Sequence, residues 1–331
     1  MDSISTITIL VILLALLFDF LNGIHDSSNV VATMISSRAF PPRMALGMTA
    51  LANFAGPFIF GVAVAKTIGD EIVVGGSINE AVLLAALASA IVWNLLTWYL
   101  GFPSSSSHAL IGGFIGAVMM GAGWQSIQLG GLEKVLIALF ASPVVGFLVG
   151  FIILRVTILL SWNASPRING FFRRSQMLTA LALSLSHGTN DAQKTMGIIT
   201  LALVTDGYLN TFEVPTWVIL ACATMIALGT ALGGWKLIRT LGGKIFKIRP
   251  VDGFASQLAS AAVILVASLV GGPVSTTQVV SSAILGVGTG ERANKVRWGV
   301  AQEIVVAWFL TIPATALVAA GFYWLLGQFL P

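Results

Sequence analysis

Charged residues are scarce in this chain of 331 residues: they make up 9% of it, against 56% hydrophobic residues. A soluble domain carries roughly 25% charged residues. A chain this apolar has too little polar surface to cover a water-soluble globule, so the composition excludes a soluble protein and predicts one that lies in a bilayer. Cysteine is also nearly absent. The single residue, Cys222, lies inside an apolar segment, which excludes a disulfide framework.

Apolar segments about as long as a membrane span recur along the chain. With two shorter segments, 104–121 and 274–290, they predict ten crossings. We therefore predict an all-α polytopic membrane protein with roughly ten to twelve membrane helices. The longer segments are Ile4–Leu21, Met44–Ala65, Ala81–Leu100, Val135–Leu160, Met177–Val204, Val214–Trp235, Phe254–Val270 and Val296–Leu330.

Basic residues are divided unevenly between the loops. With ten crossings, most of the 17 Lys and Arg residues fall on one side of the membrane. The positive-inside rule makes this side cytoplasmic and both termini extracytoplasmic in the cell membrane. The net charge of +4 is then the normal excess of cytoplasmic loops, and it predicts no nucleic-acid partner. The basic residues on this side are Arg38, Arg43, Arg155, Arg167, Arg173, Arg174, Lys236, Arg239, Lys244, Lys247, Arg249, Arg292, Lys295 and Arg297.

Two polar motifs occur twice in the same order. NGIHDSSN (Asn22–Asn29) resembles HGTNDAQK (His187–Lys194), with an offset of 165 residues between their aspartates. GFPSSSSHALIGGFIG (Gly101–Gly116) resembles GGPVSTTQVVSSAILG (Gly271–Gly286), with an offset of 170 residues. Since the matching residues are polar, lipid exposure does not explain them.

The repeat predicts two halves of opposite orientation, because each contains five crossings and five is odd. Inverted-topology repeats are common in secondary transporters, where the site lies near the midplane and is built from broken or re-entrant helices. The loop charges favour net crossings at 104–121 and 274–290 over pure re-entrant hairpins, although a hairpin combined with another break elsewhere would preserve the parity of the loops. The predicted parts are a first repeat at 1–160, a short basic cytoplasmic linker at 161–174, and a second repeat at 175–331.

Asp26 and Asp191 are duplicated carboxylates inside predicted spans. A carboxylate in hydrocarbon is costly, so it usually faces a cavity and has a function. The glycines before them suggest unwound helices with exposed carbonyls, so the motifs suit Na⁺, possible at both aspartates, or a proton relay. The alternative is a structural ion pair between Asp191 and Lys194. Further candidates for holding the coupling ion are Asn22, His25, Asn190, Gln193 and Lys194, and secondary candidates are His108, His187, Gln278 and Glu303. Asp19 either has a structural role, in which it caps a helix or forms an ion pair, or it has a function.

The serine and threonine runs follow Pro103 and Pro273. Proline is favoured in the first helical turn, so both prolines predict helix starts. Free backbone N–H groups and hydroxyls at a helix start form an anion site, and two facing starts would hold a tetrahedral oxyanion from both sides. The alternative is that these small residues only allow close helix packing. The candidate anion-binding residues are Ser105, Ser106, Ser107, Ser275, Thr276 and Thr277.

Carboxylates beside an anion are compatible if cations bind between them, or if the anion carries a proton. Hydrogen phosphate has O–H groups that can donate to Asp26 or Asp191. Sulfate has none at neutral pH and would only be repelled. The pairing therefore favours phosphate over sulfate.

With these motifs the chain resembles the inorganic phosphate transporter (PiT) family, in particular its bacterial low-affinity members. The resemblance implies cation-coupled phosphate uptake driven by Na⁺ or H⁺, no further cofactor, and a homodimer. It implies that phosphate is held by both aspartates, the Ser/Thr runs and Asn29, which matches the family's motif amide. His25 stands where many members have Asn, and Lys194 where some have a neutral residue, so the coupling ion stays open.

Other functions are compatible with parts of this pattern. Transport of another oxyanion such as sulfate or arsenate, and a passive anion channel, stay open. An intramembrane serine hydrolase would use Ser, His and Asp. Against it, the second copy has Gln278 in place of His108, and glutamine cannot act as a general base. We therefore predict a transporter and not an enzyme.

Overall fold

The computed structural model describes residues 4–74, 76, 78–243 and 245–328. Lys244 and the outer ends of the two predicted repeats, 1–3 and 329–331, lie outside the described residues. The described chain is mainly α-helical, with two short 3-10 helices at Trp124–Ser126 and Ala293–Lys295. An α-helix satisfies its backbone hydrogen bonds within one segment and can therefore cross hydrocarbon. The helices are α1 Thr6–Ser36, α2 Pro42–Phe60, α3 Ala63–Asp70, α4 Glu80–Leu100, α5 Ser106–Gly121, α6 Leu129–Leu160, α7 Ile168–Thr205, α8 Thr216–Leu232, α9 Trp235–Gly243, α10 Pro250–Leu269, α11 Thr276–Arg292 and α12 Trp298–Leu326.

Two of the predicted spans are broken. Among the described residues, five helices (α1, α4, α6, α10 and α12) are long and apolar enough to cross a membrane, or seven spans if each bent pair counts as one. The pairs are α2 with α3, bent by 78°, and α8 with α9, bent by 71°. Gly61 and Gly233 follow α2 and α8 with φ of +80° and +77°. Glycine adopts this backbone conformation without steric cost, which explains where the breaks occur.

The two halves, α1–α6 and α7–α12, have the same order of helices and opposite orientation. The Ser5 backbone N–H at the start of α1 donates to Asp206 at the end of α7, at 3.1 Å. At the other end, the Ser37 hydroxyl donates to Gln176 near the start of α7, at 3.0 Å. Helices α1 and α7 are therefore antiparallel, which confirms the inverted repeat. Helix α6 ends at Leu160 and α7 begins at Ile168, so residues 161–167 of the predicted linker 161–174 lie between the two helices.

Each half contains a re-entrant hairpin. Helix α5 begins at Ser106, which contacts Asp26 well inside α1, and it ends at Gly121, against Tyr323 near the end of α12. Helix α11 begins at Thr276, which contacts Asp191 well inside α7, and it ends close to the start of α12. The two hairpins therefore enter from opposite faces.

The prediction of net crossings at 104–121 and 274–290 is thus wrong. Each segment is the second limb of a hairpin whose first limb, α4 or α10, was also predicted as a crossing. Because one hairpin replaces two crossings, the parity of the later loops does not change. The basic loops remain together on one face, although the number of complete crossings is smaller.

The buried apolar residues form two clusters along α1. The first includes Val11, Ala15 and Phe18, and the second includes Val31 and Met34. The polar motif of α1 lies between the clusters. Both ends of the described chain pack against the first cluster, through Ile4, Ile7, Phe322, Tyr323 and Leu326.

The helices of one half pack closely on those of the other, and Gly116 tests this contact. A Cβ at Gly116 in α5 would lie 2.1 Å from the carbonyl oxygen of Ala316 in α12. Gly116→Ala should therefore lower the melting temperature of the purified protein, since overpacking costs about 1–3 kcal/mol. The matched control is Gly321→Ala in α12, where a Cβ meets nothing within 4 Å. Equal melting temperatures for both variants would contradict this packing.

Candidate functional site

Both aspartate motifs lie inside unbroken helices, Asp26 in α1 and Asp191 in α7. The predicted unwinding at their glycines is wrong. These glycines allow close helix packing instead: a Cβ at Gly23 would lie 2.3 Å from the Ile226 carbonyl oxygen, and one at Gly188 would lie 2.1 Å from that of Asn53. Small residues at helix contacts are typical of membrane proteins. The aspartates are therefore held on rigid helices, with no backbone carbonyls freed beside them.

The breaks lie at the serine and threonine runs, where α5 and α11 begin. Ser105 and Ser275 are the N-caps, and their hydroxyls accept the backbone N–H groups of His108 (3.1 Å) and Gln278 (3.3 Å). Pro103 lies two residues before its cap, and Pro273 does the same in the second half, so their predicted place in the first helical turn is wrong. A serine takes the cap because its oxygen can accept an N–H of the first turn, whereas proline offers no side-chain acceptor.

Threonines from the second helix start contact both aspartates. The Thr277 hydroxyl donates to Asp26 at 2.8 Å. The Thr276 hydroxyl lies 2.8 Å from Asp191 and 3.3 Å from Asp26. It has one proton and can donate to one carboxylate at a time. From the first helix start, Ser106 lies 3.4 Å from Asp26, so hydroxyls of both halves meet the carboxylates.

Three nitrogen-bearing side chains surround the carboxylates, and two of them are histidines. His25 Nδ1 lies 3.1 Å from Asp26. His187 Nε2 lies 3.0 Å from Asp191 and 3.8 Å from Asp26, between the two. The ligand atoms of Asp26, His187 and Asp191 all lie within 4.8 Å of one another, so these three could also hold a metal ion. His187 was only a secondary candidate from the sequence, although its spacing of four residues from Asp191 places both on one helix face.

The third side chain, Lys194, forms the predicted ion pair with Asp191 and also joins the two helix starts. Its ammonium group donates to the Ser107 hydroxyl at 2.6 Å and to the Val274 carbonyl at 2.8 Å. Ser107 lies in the first turn of α5, and Val274 lies just before α11 in the second half. The lysine is therefore part of the site and not merely a partner for one carboxylate.

The remaining predicted residues divide into two groups. Asn29 joins the site by donating to Thr277 at 3.0 Å, and Gln278 meets His108 at 3.3 Å at its edge. Asn190 donates to Ser268 and to the Gly272 carbonyl, and Gln193 binds Gly61 and Val64, so both support the helix breaks instead of facing the aspartates.

Glu303 and Asn22 lie outside this cluster. Glu303 is exposed on α12, six residues into the helix, so its prediction as a secondary site residue is wrong. Its place close to the helix start lets the carboxylate reach the polar edge of the membrane. Asn22 is buried, and its side-chain oxygen has no partner among the described residues.

The site is closed to both faces. Asp26, Asp191, Lys194, Thr276 and Thr277 are each at most 2% exposed. Buried charges are tolerated when they are paired and hydrogen-bonded, as these are. In this conformation a substrate could neither enter nor leave, so any passage requires the surrounding helices to move.

Comparison with known proteins identifies the family. The model of the Phosphate transporter family matches the chain twice, at residues 22–168 and 159–319, once in each half. The chain belongs to this family. Its members are transporters and not enzymes. The contact of Ser105 with His108 at 2.8 Å lies within the helix cap of α5.

Named relatives cover nearly the whole chain. It is 46% identical over 332 residues to a probable low-affinity inorganic phosphate transporter of Bacillus subtilis, covering 99% of both chains. It is 45% identical to one of Rhizobium meliloti, covering 93% of both. A solved structure of a sodium-dependent phosphate transporter superposes with a TM-score of 0.89 at 26% identity, covering 98% of this chain and 100% of that one.

Removing Lys194 tests the buried ion pair. Lys194→Met leaves the Asp191 carboxylate without its ammonium partner, and breaking a buried pair costs about 3–5 kcal/mol. We expect a clear loss of melting temperature. The double variant Lys194→Met/Asp191→Asn should recover most of it, because no unpaired charge remains. Losses that simply add in a double-mutant cycle would contradict the pairing.

Proposed function

We propose that this membrane protein is a secondary active transporter that imports inorganic phosphate across the cytoplasmic membrane together with Na⁺ or H⁺. The names of its relatives support phosphate as the substrate. The observation that carries the proposal is the meeting of two opposed helix starts at one pair of carboxylates, with Thr276 in contact with both. Such a site can offer donors and acceptors to the same anion.

Hydrogen phosphate would use both kinds of group. The free backbone N–H groups at the starts of α5 and α11, with the hydroxyls of Ser106, Ser107, Thr276 and Thr277, would donate to its oxygens. Asp26 or Asp191 would accept its O–H group. Ser105 and Ser275 would act through their caps, since their hydroxyls already accept backbone N–H groups. Sulfate would present no proton to the carboxylates.

Transport would proceed by alternating access. The site is closed, so it must open to one face at a time while the halves rock against each other. The bends at Gly61 and Gly233 and the hairpin turns are the irregular parts of the described backbone around it. The bound coupling ion, Na⁺ or H⁺, would offset the substrate's charge and lower the cost of closing the site.

The orientation follows from the loop charges. The face with the basic loops would be cytoplasmic and both termini extracytoplasmic. The sodium dependence in the name of the structurally related transporter supports Na⁺ as the coupling ion. The imidazoles of His25 and His187 beside the carboxylates support H⁺. The homodimer implied by the family resemblance stays a prediction.

Uptake into proteoliposomes tests the function. With an imposed Na⁺ or H⁺ gradient, varied separately, the wild-type protein should accumulate radiolabelled phosphate against its gradient. Sulfate should compete poorly, and arsenate, which carries a proton as phosphate does, should compete well. Equilibration without accumulation would indicate a passive channel instead. Asp26→Asn and Asp191→Asn should each cripple uptake, and normal uptake in both would refute the assignment.

Thr276→Val tests the shared hydroxyl. The change removes the hydroxyl that contacts both aspartates while keeping the side-chain shape, so we expect phosphate uptake to fall at least about tenfold, the effect of about 1.4 kcal/mol. Thr289→Val in the same helix is the matched control, because its hydroxyl donates only to the Leu285 carbonyl. A similar fall in the control variant would show that the effect is not specific to the site.

A further inference from the structure

Asp19 is a buried carboxylate that the phosphate site does not use. Among the described residues, four carboxylates are buried: Asp19, Asp26, Asp191 and Asp252. Each of the last three lies within 4.0 Å of a lysine, arginine or histidine nitrogen. Asp19 is 0% exposed and has no such partner. A buried ionised carboxylate is costly unless it is neutralised, so the residue requires an explanation.

The oxygens around Asp19 are incompletely satisfied. One carboxylate oxygen accepts the Thr195 hydroxyl at 2.5 Å. The other has no hydrogen-bond partner among the described residues except the thiol of the buried Cys222, which lies beside the carboxylate and is a weak donor. Asn22, three residues further along α1, is 2% exposed, and its side-chain oxygen also has no partner there. Residues three apart lie on neighbouring positions of one helix face. Two buried oxygens on one face that lack a strong donor indicate a positive ligand at this position.

We infer that Asp19, Asn22 and Thr195 form a second cation site, which takes Na⁺. Carboxylate, amide and hydroxyl oxygens are hard ligands of the kind that alkali and alkaline-earth ions prefer. A single carboxylate matches a single positive charge. The phosphate site is a poorer place for a further cation, because Lys194 and His187 already contact Asp191 and His25 contacts Asp26.

The position of this site connects it to transport. Asp19 and Asn22 belong to α1 of the first half, and Thr195 belongs to α7 of the second. A bound ion would therefore hold the two halves together. Asp19, Asn22 and Asp26 are spaced by three and four residues, so they follow one face of α1 toward the phosphate site. The role in coupling rests on the proposed function, whereas the binding of Na⁺ does not.

Binding of ²²Na⁺ to the purified full-length protein, in phosphate-free buffer, tests the site directly. The wild-type protein should bind Na⁺ saturably, and Asp19→Asn should weaken binding at least about tenfold. Asn22→Ala should weaken it as well. Asp252→Asn is the matched control, since it removes a buried carboxylate that lies outside both sites and should keep Na⁺ binding. Asp26→Asn tests the alternative that Na⁺ binds at the phosphate site.

A stability measurement separates loss of the ligand from loss of folding. Na⁺ should raise the melting temperature of the wild-type protein, because a ligand that binds only the folded state stabilises it. It should not raise that of Asp19→Asn. Without Na⁺, this variant should melt at or above the wild-type temperature, since a neutral amide removes the buried charge.

Three results would overturn the site: no saturable Na⁺ binding by the wild-type protein, unchanged binding by Asp19→Asn, or loss of binding in Asp26→Asn alone. The first would mean that a proton neutralises Asp19. Phosphate uptake by the same preparations keeps the two proposals apart. Phosphate uptake without Na⁺ binding would contradict the Na⁺ site and support the proposed function. Na⁺ binding without phosphate uptake would contradict the proposed function and support the Na⁺ site.

Discussion

The structure depends on keeping two carboxylates, Asp26 and Asp191, inside a membrane protein without contact with water. Both are completely buried. Burying an ionised carboxylate is costly unless it is paired and hydrogen-bonded. The groups that pair with or donate to the two carboxylates are His187 between them, Lys194 beside Asp191, and Thr276 and Thr277 from the start of α11. An apolar packing of this region would be cheaper to fold. The retention of these polar groups is consistent with a site that must exchange hydrogen bonds with a charged substrate.

The inverted repeat supplies this site with two helix starts from opposite faces. Because α4–α5 and α10–α11 enter as hairpins, the starts of α5 and α11 reach the interior, where a continuous crossing helix would have no free N–H groups. The hairpin of each half then packs against the last helix of the other, α5 on α12 and α11 on α6. This exchange makes the halves interdependent, so a movement of one against the other must change the site.

The two copies are not equivalent, and the differences concern charge. Asn190 in the second half supports the hairpin turn through Ser268 and Gly272, while His25, one residue before Asp26, turns to its own aspartate. Lys194 has no basic counterpart in the first half. The pseudo-symmetry therefore provides the frame of the site, and the departures from it determine which groups carry positive charge.

The class of protein, the inverted repeat, the family and most of the residues at the centre could be predicted from the amino-acid sequence. Composition and duplicated polar motifs can be read directly from the chain. Polar residues are costly in lipid, so their presence inside apolar segments indicates a function. Contacts between segments far apart in the chain could be established only from the folded protein. It showed that Asn190 and Gln193 support helix breaks, that Glu303 is exposed, and that His187 lies between the aspartates. It also placed the breaks at the hydroxyl runs and not at the glycines before the aspartates. A glycine favours both an unwound helix and a close helix contact, and only the neighbouring helix, here α8 or α2, decides between them.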